Sequence, residues 1–181
     1  MDEFALINKY FKKISNNNNS AKNLNDDIFF DKRKGLAVSI DTYNEGIHFP
    51  NFKKPELVIK KVVRSSISDL LAKGVKPTYY FISGSGSEKS FTKINLSKIA
   101  KSLSEEQKKY SIKLSGGDTT NSKKVSFTIT TLGFAKNIIE RNKARLNDDI
   151  YVTGTIGDSN FGLKILLRKI KVNSKLKNYF L

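Results

Sequence analysis

Phe4, Ile7, Phe11 and Ile14 recur at the spacing of one helix face, so the chain is expected to open on a short amphipathic helix. The polar run SNNNNS then reads as a loop and NLNDDIFF as a short strand interrupted by acids. GLAVSID is an apolar strand ending on Asp41, and DTYNEGIHFP is a loop closed by Pro50. Pro55 suits the first turn of a long helix, ELVIKKVVRSSISDLLAK, which Gly74 terminates. PTYYFIS is aromatic and β-branched and predicts a strand, followed by the loop GSGSEKS. That loop lacks the glycine a P-loop places before its lysine, so the phosphate-loop reading is rejected.

A second helix is predicted from Asn95 to Tyr110, with Leu96, Ile99, Ala100 and Leu103 on one face. YSIKLS reads as a short strand, and Val125, Phe127 and Ile129 alternate as the next one. NKARLNDD is a polar connector, IYVTGTIGDS a strand and glycine turn, and NFGLKILLRKI the start of a helix. The order predicts an α+β or α/β domain over residues 1–145, then the beginning of a second, truncated α/β domain over 146–181. In that stub Ile165, Leu166, Ile170, Phe180 and Leu181 are expected to lie exposed without a partner sheet.

Composition narrows the chemistry. The 181 residues hold no cysteine and one histidine, His48, so a metal site would have to be built from oxygen ligands, as for magnesium, calcium or manganese. The N-terminus is acidic and carries lysines through its apolar positions, unlike a signal peptide, and no apolar run approaches a membrane span. A soluble, cytoplasmic protein is expected. The net charge of +16 suits anionic ligands, but the lysines are scattered and no nucleic-acid motif is present, so no nucleic-acid partner is expected.

Four aspartates stand in unusual places. Asp26 interrupts an apolar strand, Asp41 ends one, and Asp118 follows the glycine pair in KLSGGDTTNS. Asp69 shares a helix face with Val58, Val62, Ser65 and Ala72, all small or apolar. Burying such carboxylates unpaired is costly, and a divalent cation would offset several together. From the residues alone a solvated turn at GGD, loop caps at Asp26 and Asp41, and a distant lysine partner for Asp69 remain open. So do an inconsequential loop role for His48 and a linker role for Arg141.

DEFALINKYF, NDDIF, SIDTYNEGIHF, SISDLLAKGVKP, KLSGGDTT and IYVTGTIGDS occur in an order and spacing that resemble the thiamine-monophosphate kinases. These belong to the superfamily of aminoimidazole ribonucleotide synthetase. The resemblance covers essentially the whole chain. It implies the N-terminal domain of that fold, a mixed sheet packed by helices, with an ATP- and magnesium-binding and dimerisation role for residues 1–145. It implies ATP as co-substrate, thiamine monophosphate as acceptor, several magnesium ions and a homodimer. Carried over by position, Asp26, Asp41, Asp69 and Asp118 would bind magnesium, joined by Ser39 and the backbone at Ile40. Gly117 and Asp118 would lie at the ATP phosphates, Arg141 at the nucleotide and His48 at the thiamine substrate.

No general base is implied, because a substrate phosphate oxygen is already ionised. Asn25 departs from the usual glycine before the acidic pair, and Ser66 from an asparagine in the long helix. The family's second domain contributes a further acidic motif and much of the thiamine pocket, so the chain is expected to be a poor kinase by itself. Two alternatives stand beside the kinase: an ATP-dependent cyclo-ligase of the same superfamily, and a non-catalytic nucleotide-binding fragment.

Overall fold

The computed structural model describes residues 2–180; the expectation for Leu181 lies outside the described residues. The chain divides into two compact units, Met1–Lys143 and Ala144–Leu181. In the first, five strands form one sheet in the order β1-β2-β5-β3-β4. They are β1 (Phe29–Asp31), β2 (Leu36–Asn44), β3 (Pro77–Gly86), β4 (Lys113–Asn121) and β5 (Ser126–Phe134). All neighbours are antiparallel except β3 and β4, which run parallel. A parallel pair needs a long crossover, supplied here by the helix α3 (Lys93–Tyr110). The fold is α+β with a mixed sheet.

One face of the sheet is built by period-two alternation. Along β5 the buried positions are Phe127, Ile129, Thr131 and Gly133, with the residues between them on the other face. The helix α2 (Pro55–Ala72) covers the buried face with Ile59, Val62, Val63 and Ile67, which join Tyr80, Phe127 and Ile129 in the main core. Pro55 sits in the first turn, and Gly74 ends the helix region at φ +73°. The opposite face leaves Ile40 and Phe81 exposed on either side of Thr130.

Several elements differ from their sequence-based extents. The N-terminal apolar stripe forms one helical turn, α1 (Glu3–Leu6), then a π-helical turn over Ile7–Phe11, with Phe4, Phe11 and Ile14 left exposed. NLNDDI is not strand; β1 starts only at Phe29. Strand β2 runs three residues beyond Asp41, because Thr42, Tyr43 and Asn44 pair with Thr128, Phe127 and Ser126 of β5. Strand β3 continues through Gly84 and Gly86, so part of the expected GSGSEKS loop is extended.

In the second unit IYV forms no strand; Ile150 and Tyr151 are almost fully exposed. Two short helices form instead, α4 (Asp158–Leu166) and α5 (Ser174–Phe180). They pack closely: the Phe161 and Phe180 rings lie 4.9 Å apart, and a Cβ on Gly162 would come within 2.9 Å of the Phe180 carbonyl oxygen. Ile165 is therefore buried rather than exposed as expected, while Leu166 is exposed.

Two buried side-chain oxygens among the described residues lack a hydrogen-bond partner, Glu56 Oε2 and the Tyr80 hydroxyl. Burial raises the Tyr80 pKa to about 12. Leaving a buried donor unsatisfied costs about 1–3 kcal/mol. Tyr80→Phe is expected to stabilise the fold by about 1 kcal/mol, a rise of roughly 2–4 °C in Tm for a chain of this size. A lower Tm in a thermal melt would contradict this.

Candidate functional site

Asp41 and Ser39 project from β2 on the helix-covered face, since their partners Ile129 and Thr131 are buried there. Asp69 comes to them from α2, and the Ser39 hydroxyl donates to its Oδ2 at 2.8 Å. Burial pushes the Asp69 carboxyl above its ordinary value; the Ser39 hydrogen bond and the Lys73 charge oppose this, and the like charges of Asp41 and Asp27 add to it. Asp41 accepts from the Tyr43 hydroxyl at 3.1 Å, and Ser66 donates to the same phenol oxygen at 3.3 Å. Burial raises the Tyr43 pKa to about 12, so it remains a neutral donor near neutral pH. The His48 ring stands edge-on to Tyr43 with centroids 5.6 Å apart, and its Nδ1 accepts from the Asn44 backbone at 2.9 Å. His48 is thus tied through Tyr43 to the Asp41–Asp69 pair.

Asp26 has a different environment. Its Oδ1 lies 2.5 Å from the Lys73 ammonium, and both side chains are buried, 7% and 5% exposed. Lys73 also reaches Asp27 at 3.1 Å, and Arg141 reaches Asp27 at 2.6 Å. Burial alone would raise the Asp26 carboxyl, but the Lys73 hydrogen bond and charge, with backbone donors at Asp27 and Arg141, hold it below its ordinary value. Burial would lower Lys73, yet Asp26 and Asp27 hold its ammonium above its ordinary value. Beside this corner is a polar cavity of about 200 Å³, lined by Asp26, Arg141, Lys22 and Glu140 among others.

Asp118 is placed elsewhere. The sequence KLSGGDTTN is not a turn; it forms the edge strand β4, every residue exposed. Asp118 pairs with Ser83, which pairs with Thr128, which pairs with Thr42. This row lies on the face opposite Asp41. Asp118 is also three strands away from Asp41, roughly 14 Å at the usual strand spacing. Gly116 and Gly117 follow an irregularity in the β3–β4 register at Tyr80 and Phe81. A Cβ on Gly117 would fall 1.9 Å from the Ile82 carbonyl oxygen, so the glycine is needed for close approach to β3.

The donors suit a hard cation. They are carboxylates and a hydroxyl, and the Asp41–Asp69 pair carries negative charge that no lysine or arginine offsets by an ion pair among the described residues. Among the described residues, however, no three acidic or imidazole groups gather closely enough to hold a metal ion by themselves.

Residues 25–135 match the family described as AIR synthase related protein, N-terminal domain. The chain belongs to this family. It is 37% identical to the thiamine-monophosphate kinase of Buchnera aphidicola from Acyrthosiphon pisum, over 99% of this chain and 57% of that protein. It is 36% identical to that of Haemophilus influenzae, over 96% and 54%. The solved thiamine monophosphate kinase of Aquifex aeolicus superimposes with a TM-score of 0.84 at 26% identity, over 99% of this chain and 58% of that one. A structure of AaThiL complexed with AMPPCP and TMP also aligns with a TM-score of 0.84. The chain spans little more than half the length of these AIR synthase related relatives.

Lys73, Asp27 and Tyr43 were missed by reasoning from the sequence. Lys73 stands four residues after Asp69, the spacing of a helical ion pair. Reading α2 for its apolar face passes it over, and the spacing alone points to the wrong partner. Its ammonium goes to Asp26 and Asp27 in the loop before β1. Among the described residues no helix is long and apolar enough to cross a membrane.

Proposed function

We propose that this chain carries the N-terminal-domain part of the site of an ATP-dependent thiamine-monophosphate kinase, which moves the γ-phosphoryl group of ATP onto the phosphate of thiamine monophosphate. The observation that carries the reading is the Asp41–Asp69 pair, tied to Ser39 and through Tyr43 to His48, in a fold that aligns with AaThiL complexed with AMPPCP and TMP. Asp41, Asp69 and Ser39 would hold magnesium, with the Ile40 backbone beside them. Bound magnesium would neutralise the ATP triphosphate and the facing phosphate of thiamine monophosphate and favour in-line transfer. The protein's own contribution is positioning: Tyr43 fixes the Asp41 carboxylate, Ser39 fixes that of Asp69, and His48 borders the same side. No side chain needs to take a proton from the acceptor.

Gly117 and Asp118 are assigned to the ATP phosphates and Arg141 to the nucleotide. Within one chain Asp118 lies on the wrong face to join Asp41, so its assignment to the same magnesium implies a second copy. An exposed β4 edge and the exposed Ile40 and Phe81 face support a homodimer. The test is thiamine diphosphate formation from ATP and thiamine monophosphate by the 181-residue chain. Slow, magnesium-dependent turnover is the expected result, as for a poor kinase, and its complete absence beside ATP-dependent ring closure of a ribonucleotide amidine would transfer the protein to the cyclo-ligases. A mixture of Asp69→Asn and Asp118→Asn chains is expected to regain part of the activity each lacks. Failure to do so after the two chains are unfolded and refolded together would reject sharing between copies.

A further inference from the structure

Resting on the magnesium reading above, we propose that the Lys73 ammonium stands where a divalent cation would otherwise sit at Asp26, so that Asp26 is not a metal ligand in this chain. The argument is one of charge and space. Asp26 and Asp27 bring two negative charges to the loop before β1. Lys73 bridges both, at 2.5 and 3.1 Å, and Arg141 adds a second cation on Asp27 at 2.6 Å. Two acids face two bases, and the corner is neutral without any metal. The Lys73 side chain is only 5% exposed and that of Asp26 only 7%, so the ammonium is enclosed with its partner rather than lying across it in solvent.

Bringing a dication to Asp26 would place it against a buried ammonium, a like-charge contact poorly screened by water. The Asp41–Asp69 pair differs: neither carboxylate makes an ion pair with an ammonium or guanidinium among the described residues, and Lys73 acts on Asp69 only through its charge at longer range. Lys73 is held in place by its own backbone, which caps α2 by donating to the Leu70 and Leu71 carbonyls. The cation it supplies is therefore part of the fold. Divalent ions are directed to the side of the site formed by Asp41 and Asp69, and Asp26 keeps a structural role.

Manganese binding by titration calorimetry separates this idea from the reading it rests on. In the 181-residue chain Asp26→Asn is expected to change manganese affinity by less than about twofold, while Asp69→Asn weakens it by about tenfold or more. Lys73→Met is expected to create an added manganese site or tighten binding by about tenfold, and the double variant Lys73→Met with Asp26→Asn to cancel that gain. If Asp26→Asn weakens manganese as much as Asp69→Asn does, Asp26 is a ligand and the proposal is overturned, while the magnesium reading survives. If neither aspartate variant changes manganese binding, the magnesium reading itself fails, and this proposal with it. Should Lys73→Met not fold by circular dichroism, the comparison of the two aspartate variants still decides.

Discussion

Gly117→Ala is expected to release strand β4 from the sheet. The added Cβ would lie 1.9 Å from the Ile82 carbonyl oxygen and 2.8 Å from its carbon, closer than real Cβ atoms come. The obstacle is backbone, so no side-chain rotation relieves it. One strand has to move. Ile82 is paired on its other side with Ile129 of β5, in the middle of the sheet, and shifting it would disturb the core. Strand β4 is paired only with β3, and all nine of its residues are exposed. The edge strand yields.

Overpacking of this kind costs about 1–3 kcal/mol and more when backbone is the obstacle. A loss near 3 kcal/mol corresponds to a fall of roughly 6–12 °C in Tm for a domain of this size. Gly84→Ala is the comparison, because its Cβ would meet side chains rather than backbone, the Phe127 ring at 3.2 Å and the Phe91 ring at 3.6 Å. Hydrogen exchange should show protection lost over Lys113–Asn121 in the Gly117 variant and kept in β2 and β5. Unchanged protection in β4 would refute the steric account. Asp118 is carried on the same strand, so the variant also displaces the acid assigned to ATP.

How far the sequence disclosed the fold depended on whether local pattern and tertiary partner agreed. Strand β5 and helix α2 were readable because their apolar periods match the face they bury and because Pro55 and Gly74 mark the helix ends. Strand β4 was legible only at its start, in YSIKLS; beyond it a turn at GGD stayed open because glycines and aspartate are turn formers, and only the parallel partner β3, brought in by α3, makes them extended. IYV in the second unit shows the converse: good strand residues, but no partner strand among the described residues there, hence no strand.

The site followed the same rule. Asp41 and Asp69 were singled out correctly as non-surface acids, and their adjacency follows from α2 lying over β2. Asp26 was singled out for the same reason, and a buried lysine from the end of α2 pairs with it. A pairing across 47 positions of sequence, 73 minus 26, leaves no local period to read.

Asp69→Asn is expected to raise stability and lower metal affinity together. Without metal, the Asp69 carboxylate is half-buried and close enough to feel the charges of Asp41 and Asp27, so its pKa lies above the ordinary 3.8. For an acid with a raised folded pKa, the native state holds its proton more tightly than the unfolded state does. Stability therefore increases as pH falls through the folded pKa toward 3.8, and the full penalty applies at neutral pH. Asparagine keeps the shape and an oxygen to accept from the Ser39 hydroxyl, but carries no charge. The metal-free variant should melt higher than the parent at pH 7, and the difference should shrink on acidification through that window. Magnesium should reverse the order. A ligand that binds only the folded state stabilises it by about 2.7 kcal/mol at a hundredfold excess over Kd. Affinity reduced by about tenfold in the variant removes roughly 1.4 kcal/mol of this. Thermal melts with and without magnesium, repeated from neutral to acid pH, measure both effects. An equal magnesium-induced rise in the two proteins would show that Asp69 is not a ligand, and a metal-free variant less stable than the parent at pH 7 would show that its carboxylate is not destabilising.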